Sequence, residues 1–343
     1  MLMRPLGDTG LLVSGLSFGA MTFGGSGMFS IVGDTDDAGA DRLVGLCLDA
    51  GINLFDTADI YSEGASEEIL GRALKARSSD ALIATKAFNR MGPGSNDLGA
   101  SRYHLVRACE ASLRRLGVDH IDLYQVHQYD VQTAHEETLR ALDDLVRQGK
   151  VRYVGCSNYP ASQLMKALAI SERRGLERFV SHQLAYSLAA RDAEWELLPL
   201  AQEERVANLI WSPLAMGLLS GKFRRDAAAP AEARASKFAG PIDIDREKVF
   251  DTVEMLAEIA RERGVSISQV ALNYVLHQPG VTSVIIGARD EAQLTDNLGA
   301  AGWSLTPEER ARLQAVSLVR IPYPQSLYTG PIAEQNPSRL QRD

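Results

Sequence analysis

No stretch of this 343-residue chain is apolar for long enough to span a bilayer, and its opening, MLMRPLGDTGLLVSGL, is broken by Pro5, Gly7, Asp8 and Gly10 before the apolar core of a secretion signal can form. A cytoplasmic protein without membrane contact is therefore expected. Cysteine is scarce: Cys47, Cys109 and Cys156 are odd in number, scattered and free of CxxC spacing, which excludes a disulfide framework and fits reduced thiols. The histidines, at 104, 120, 127, 135, 182 and 277, show no paired ligand spacing, and HEETL at 135 lacks the second histidine of a zinc helix, so no metal is expected. Positive charge is also short. With 36 Lys and Arg against 44 Asp and Glu, the net charge of -8 repels a phosphate backbone and argues against nucleic-acid binding. Three catalytic or nucleotide signatures are missing as well. No GxSxG occurs, no GxGxxG follows a first strand, and neither FGGSG at 23–27, which has no following helix, nor GLLSGKF at 217–223 meets the requirements of a phosphate loop. That excludes the common dinucleotide fold but not a dinucleotide.

What is present is a large apolar fraction, 45%, distributed in a regular alternation. A hairpin opens the chain, with RPL and LLVS flanking the turn residues GDTG. Short apolar runs follow near 16–20 (LSFGA), 53–55 (NLF), 81–85 (ALIAT), 121–126 (IDLYQV), 151–156 (VRYVGC), 179–183 (FVSHQ), 208–211 (NLIW) and 283–286 (SVII). Amphipathic segments separate them. DRLVGLCLDAG places Leu43, Val44, Cys47 and Leu48 on one face, SRYHLVRACEASLRRLG starts at a capping Ser101 and stops at Gly117, and EETLRALDDLVRQGK turns Leu139, Leu142, Leu145 and Val146 inward before Gly149. Eight strands alternating with helices, without a composition break, predict one (β/α)8 TIM barrel of the α/β class: a single domain over 1–343 with a hairpin at 3–14, the barrel at 16–316 and a tail at 317–343. Two parts exceed the repeat. The connection after NLIW is too long for a routine loop and reads as a lid or clamp, and the Pro- and Tyr-containing tail reads as a surface covering.

The polar residues that close the apolar runs carry the chemistry. Asp56, Lys86, His127, Ser157 with Asn158, Gln183, Ser212 and Gly287 fall at the carboxyl ends of successive strands, which converge on one rim in a parallel barrel. Titratable Asp, Lys and His close three consecutive strands. In a poorly solvated rim Lys86 and Asp56 pair, and an ammonium beside a phenol favours the phenolate, lowering Tyr61 from its reference of about 10. Tyr61 is then a proton donor, and His127 either orients a carbonyl oxygen or relays a proton.

The stretches LSFGAMTFG, FDTADIYSEGASEEILG, IATK, IDLYQVH, GCSN, WSPLAMGLLSGK and VIIGARDEAQLTDN, in this order over roughly residues 4 to 300, resemble the aldo-keto reductase superfamily, in the bacterial branch related to potassium-channel β-subunits. The resemblance implies a catalytic tetrad of Asp56, Tyr61, Lys86 and His127, with Tyr61 protonating a carbonyl oxygen as hydride arrives from NADPH, and a small carbonyl compound as substrate. It implies a cofactor lying across the barrel mouth, its carboxamide against Ser157, Asn158 and Gln183 and its ring on Trp211, with Gly19, Met21, Thr22 and Asp56 also in the cofactor set. Ser212, Leu214 and Gly217 would wrap the pyrophosphate, with Lys222 as compensating charge and Arg234 as a further candidate on that loop. Gly287, Arg289, Gln293 and Asn297 match the adenosine end, where Arg289 can meet a 2′-phosphate or stack on adenine. Asp296 is either an adenine contact or a helix-surface charge. One departure stands out: the common YGxGxSE is YSEGASE here, so Ser62 replaces a glycine beside Tyr61.

Two other functions compete with a reductase. The same branch includes channel-associated proteins, so a nicotinamide-sensing, partner-binding subunit is one. A barrel aldolase using Lys86 as a Schiff-base amine is the other. The physiological substrate depends on whether Met28, Phe29, Trp303, Tyr323 and Tyr328 face the pocket, and the oligomeric state is open.

Overall fold

The computed structural model describes residues 1–75, 77, 81–225 and 242–329. The hairpin forms as its turn residues require: β1 (Met3–Pro5) pairs antiparallel with β2 (Leu12–Ser14), and Gly7 between them adopts φ 63°. A side chain at Gly7 would sit 2.4 Å from the Val180 carbonyl oxygen, so glycine is needed for close approach as well as for the turn. The hairpin does not stand apart from the core. Leu6 and Val13 are fully buried against Leu54, Ala84, Leu123, Ala207 and Leu209, closing the amino-terminal end of a barrel.

Eight parallel strands make that barrel: β3 (Leu16–Gly19), β4 (Leu54–Asp56), β5 (Leu82–Ala87), β6 (Ile121–Val126), β7 (Val151–Ser157), β8 (Ser181–Ala185), β9 (Ala207–Trp211) and β10 (Val281–Ile286). They follow one another in chain order, and β10 pairs with β3 to close the ring. The TIM barrel expected from the alternation is the observed architecture. Residue spacing of two then divides each strand between interior and shell. On β5, Lys86 faces the interior, where it meets Asp56, while Thr85 faces outward and donates to Glu67 on the helix Ala65–Leu74 at 2.6 Å.

Several strands run further toward the mouth than their apolar runs suggest. Asp56 is the last residue of β4, Lys86 lies inside β5, Ser157 ends β7, and β8 is displaced to Ser181–Ala185 so that Gln183 is its centre. The physical reason is that a ladder needs backbone partners, not apolar side chains, and these polar side chains have partners inside the barrel. Conversely, LSFGA stops as strand at Gly19 and tightens into a 3-10 turn, Ala20–Thr22. A further short 3-10 turn, Gly27–Ile31, follows the glycine-rich FGGSG.

The shell helices keep their sequence signals. Asp37–Asp49 begins where Asp36 accepts from the Gly39 N–H, and Arg102–Leu116 begins on Ser101 and ends on a left-handed Gly117. His135–Arg147 buries Leu139, Leu142 and Leu145, whereas Val146, like Leu48 on the first of these helices, is only partly buried. The long connection after β9 contains a 3-10 turn, Ala215–Ser220, and leads into the helix Arg246–Arg263. Arg234 lies outside the described residues. Of the tail, a helical turn at Ser326–Thr329 is described, and Arg191, after β8, holds the tail's beginning through the Gln314 carbonyl (2.9 Å) and the Ser317 hydroxyl (3.0 Å). Among the described residues no helix is long and apolar enough to cross a membrane.

The packing makes a sharp distinction between two helical glycines. A Cβ on Gly71 would lie 2.1 Å from the Leu116 carbonyl oxygen, whereas one on Gly45 would meet only the tip of Arg77 at 2.6 Å. Gly71→Ala should therefore lower the urea midpoint by an amount equivalent to about 1–3 kcal/mol. Gly45→Ala, whose neighbour can swing away, should leave it unchanged or raise it slightly. Equal midpoints for the two variants would contradict the observed contact between the helices.

Candidate active site

Beyond Asp56 the chain does not leave β5 at once. Thr57 donates from its backbone to the Ala84 carbonyl at 2.9 Å and Asp59 to the Lys86 carbonyl at 3.0 Å, so the segment climbs along the strand and lays Tyr61–Gly64 over Lys86. Lys86 has no exposure. Its Nζ donates to Asp56 Oδ2 at 2.6 Å, to the Thr57 carbonyl at 2.7 Å and to Tyr61 Oη at 3.4 Å. The other oxygen of Asp56 accepts from Gln183 Nε2 at 2.7 Å and Gln125 Nε2 at 3.4 Å. Burial alone would lower the Lys86 pKa, but Asp56 and then Tyr61 outweigh it and the group is raised above its ordinary value. The amine is thus kept protonated, which is the wrong state for the Schiff-base nucleophile of an aldolase.

His127 directly follows β6, its backbone N–H bonded to the Ala87 carbonyl at 3.0 Å, and its ring meets the Tyr61 ring edge-on at 5.9 Å. Burial, and secondly the Lys86 ammonium, hold this imidazole well below its usual range, so it is neutral near pH 7. The Asn89 amide lies 3.2 Å from Nδ1 and accepts from Gln128 through its own oxygen at 3.2 Å. With the amides so oriented, Asn89 donates to Nδ1 and the ring proton resides on Nε2. Asp56, Lys86 and His127 from the strand ends and Tyr61 from the turn beyond the first therefore meet as one cluster.

A second group adjoins it through a chain of hydrogen bonds. Asn158, which follows β7 at a left-handed φ of 56°, donates from Nδ2 to the His127 carbonyl (3.0 Å) and to Ser157 Oγ (3.0 Å), and its Oδ1 accepts from Trp211 Nε1 at 3.1 Å. Gln183 spends Nε2 on Asp56 and, among the described residues, has no partner on Oε1. Trp211 is half-buried at the end of β9. Just beyond it Ser212, Ala215 and Met216 take positive φ, Ser212 Oγ accepts from the Met216 N–H at 3.2 Å, Leu214 packs partly buried on the core, and a Cβ on Gly217 would meet nothing within 4 Å. Strained left-handed residues at the ends of two strands are the kind of geometry that functional rims retain. An amide-accepting oxygen, a half-exposed indole and an open glycine turn fit a nicotinamide dinucleotide. Lys222 is exposed.

A third group gathers at β10. Thr22 donates to the Ala288 carbonyl at 3.1 Å, joining the end of β3 to the loop after β10, while Gly19 approaches Ile285 so closely that a Cβ would stand 2.8 Å from it. Met21, in the same turn, is half-buried. Gln293 Oε1 accepts from the Arg289 N–H (2.9 Å), and Asn297 donates to the Gly287 carbonyl (3.2 Å), so the helical pair sits beneath this loop. Arg289 itself is exposed, with Nε on the Val32 carbonyl at 3.0 Å. Asp296 accepts from Ser266 and Gln269 and ties two shell helices together.

Of the residues held open for substrate contact, Phe29 packs on Tyr61 with ring centroids 5.3 Å apart. Met28 and Tyr323 are largely exposed, and Trp303 lies under Arg263 in the outer shell, in a groove shared with Met1 and Leu2. The side chain of Tyr328 lies outside the described residues. Gln125, Asn89 and the Thr57 carbonyl belong to the site but were not marked by the sequence. Gln125 could have been found, because a glutamine in the run IDLYQV is an expensive residue to bury unpaired.

The family model for the aldo/keto reductase family matches residues 15–318 of this chain. Over 305 residues, 87% of this chain and 90% of the relative, it is 38% identical to a probable voltage-gated potassium channel subunit beta of Arabidopsis thaliana. It is 39% identical over 314 residues (88% and 92%) to the uncharacterized oxidoreductase YrpG of Bacillus subtilis, and 33% identical over 328 residues (89% and 93%) to versiconal hemiacetal acetate reductase of Aspergillus parasiticus.

Two outcomes follow from the buried charges. Lys86→Met strands Asp56 without its cation and should cost about 3–5 kcal/mol in urea unfolding, and adding Asp56→Asn should restore at least about half of that. The second concerns acid. His182, whose Nε2 accepts from the Tyr159 N–H at 3.2 Å, is pushed down to about 4 by burial, and His127 shifts the same way. An unfolded histidine takes up a proton near pH 6.5, so between about 6.5 and 4 the unfolded state binds more protons and stability falls as pH falls. His182→Gln, which cannot titrate, should flatten this slope in pH-dependent thermal melts.

Proposed function

The chain belongs to the aldo/keto reductase family, and from that premise we propose that it is an NADPH-dependent oxidoreductase that reduces small aldehydes or ketones to alcohols, with Tyr61 as proton donor. The observation that carries this reading is the fully buried Lys86 ammonium, 3.4 Å from Tyr61 Oη and held there by Asp56. A reduced nicotinamide, if held by this rim, would supply the hydride. Ser157, Asn158 and Gln183 would hold its carboxamide, Trp211 would offer a flat face to the ring, and the turn at Ser212, Leu214 and Gly217 would hold the pyrophosphate. Thr22, Gly287 and Arg289 would hold the adenosine end, where a guanidinium suits a 2′-phosphate.

His127, neutral and carrying its proton on Nε2, donates a hydrogen bond to the substrate carbonyl oxygen and fixes its direction. Tyr61 gives that oxygen its proton as the carbonyl carbon is reduced, and the negative charge left on the phenol oxygen is met by the Lys86 ammonium. An ammonium in a site without water acts on that charge far more strongly than it could in solution. Three free cysteines, all buried, agree with a cytoplasmic setting.

The channel-subunit names of some relatives favour a second reading, in which the chain binds the nicotinamide as a sensor for a partner protein. Turnover separates the two. Purified chain with no partner should oxidise NADPH in the presence of reactive small carbonyls, followed at the nicotinamide absorbance, with NADH poorer. Tyr61→Phe should lower kcat by about 10²–10⁴ while leaving NADPH binding, read by fluorescence titration, near the wild-type value. NADPH binding without any turnover would favour the sensor, and absence of NADPH binding would defeat both readings.

A further inference from the structure

Ser62 occupies a position of unusual cost and unusual reach. It is buried, its φ is 48°, a left-handed conformation that few residues other than glycine, asparagine and aspartate adopt, and it follows Tyr61 directly. Its hydroxyl oxygen accepts from the backbone N–H of Gly25 at 2.9 Å. The two segments touch there: a Cβ on Gly24 would lie 2.8 Å from Ser62 Cβ. Beyond Gly25 the chain turns through Gly27–Ile31, which carries Phe29 onto the Tyr61 ring at 5.3 Å and an interplanar angle of 59°. The far end of the same turn is held by Arg289 on the Val32 carbonyl. The wall beside the phenol is thus tied down at both ends, and the tie nearest the phenol is one serine hydroxyl.

We propose that Ser62 is a positioning residue for substrate selection: its bond to Gly25 sets the placement of Phe29 against Tyr61 and so favours carbonyl compounds with a flat aromatic substituent over short aliphatic ones. The proposal rests on the reductase reading for its substrate class, but the latch itself does not. A bare glycine at 62 would satisfy the backbone at less cost, and only the hydroxyl supplies an acceptor for the Gly25 N–H. Gly24 remains tied by its N–H to the Thr35 carbonyl at 3.0 Å, so loss of the Ser62 acceptor loosens the run beyond it, where Gly25 and Gly27 take positive φ. Phe29 then presents no fixed face, and an aryl group loses more from this than a methyl or ethyl group does.

The experiment compares wild type, Ser62→Ala, Ser62→Gly, Phe29→Ala and the Ser62→Ala/Phe29→Ala double variant by two measurements. Hydrogen exchange of the Gly25 amide should be faster by about tenfold or more in both Ser62 variants. The ratio of kcat/KM for benzaldehyde to that for propanal, with NADPH, should fall about tenfold in Ser62→Ala, in Ser62→Gly and in Phe29→Ala, mainly through KM for benzaldehyde, with no further fall in the double variant. A purely structural role would lower both aldehydes together and leave the ratio in place. Unchanged Gly25 exchange, an unchanged ratio, or full additivity in the double variant would overturn the proposal. A wild type that reduces neither aldehyde would defeat the reductase reading instead, and the Gly25 exchange rate would still decide whether the latch exists.

Discussion

An ammonium group with no exposure, inside a ring of strands, is tenable only with complete compensation, because the desolvation of each ion costs several kcal/mol. Lys86 receives it from a carboxylate at 2.6 Å, a backbone carbonyl at 2.7 Å and a phenol oxygen at 3.4 Å. Asp56 in turn needs its second oxygen satisfied, and two glutamines from β6 and β8 reach across the interior to do so. Three of the other strands, β4, β6 and β8, therefore contribute one side chain each to the support of a single cation on β5. That cation also reaches His127, where it adds to burial in keeping the ring uncharged. A charged lysine and a neutral histidine stand on either side of one tyrosine because the lysine lies within β5, while the segment leading to Tyr61 and the backbone of His127 are both hydrogen-bonded to the end of that strand.

Much of this was legible in the chain. The alternation of short apolar runs with amphipathic helices gives the barrel, and Ser101, Gly117 and Asp36 mark helix ends through capping chemistry that is local by nature. The order Asp, Lys, His at three consecutive strand ends, with a tyrosine soon after the first, announces the cluster because parallel strands bring their carboxyl ends to one rim. Strand limits were less legible. Asp56, Lys86 and Gln183 lie within strands, since polar interior neighbours make a polar interior side chain acceptable, and those neighbours come from elsewhere in the sequence.

What escaped the sequence shares one cause. Gln125, Asn89 and the hydroxyl of Ser62 act through hydrogen bonds to Asp56, His127 and Gly25, 69, 38 and 37 residues away. No spacing rule encodes such pairs, because their separation is set by barrel closure rather than by helix or strand period. Asp296 shows the same kind of long-range pairing, with Ser266 and Gln269 each donating to one of its oxygens. Trp303, whose facing the sequence leaves open, packs under Arg263.

The plug formed by Leu6 and Val13 at the base of the barrel has a consequence for timing. With one end stoppered by apolar side chains, the interior communicates with bulk water through the opposite rim alone. Solvent exchange with the Tyr61 phenol must then share its passage with whatever occupies that rim. Anything seated in that rim would therefore slow the phenol's exchange with bulk water, so the barrel's floor, far from Tyr61, limits how that hydroxyl is wetted.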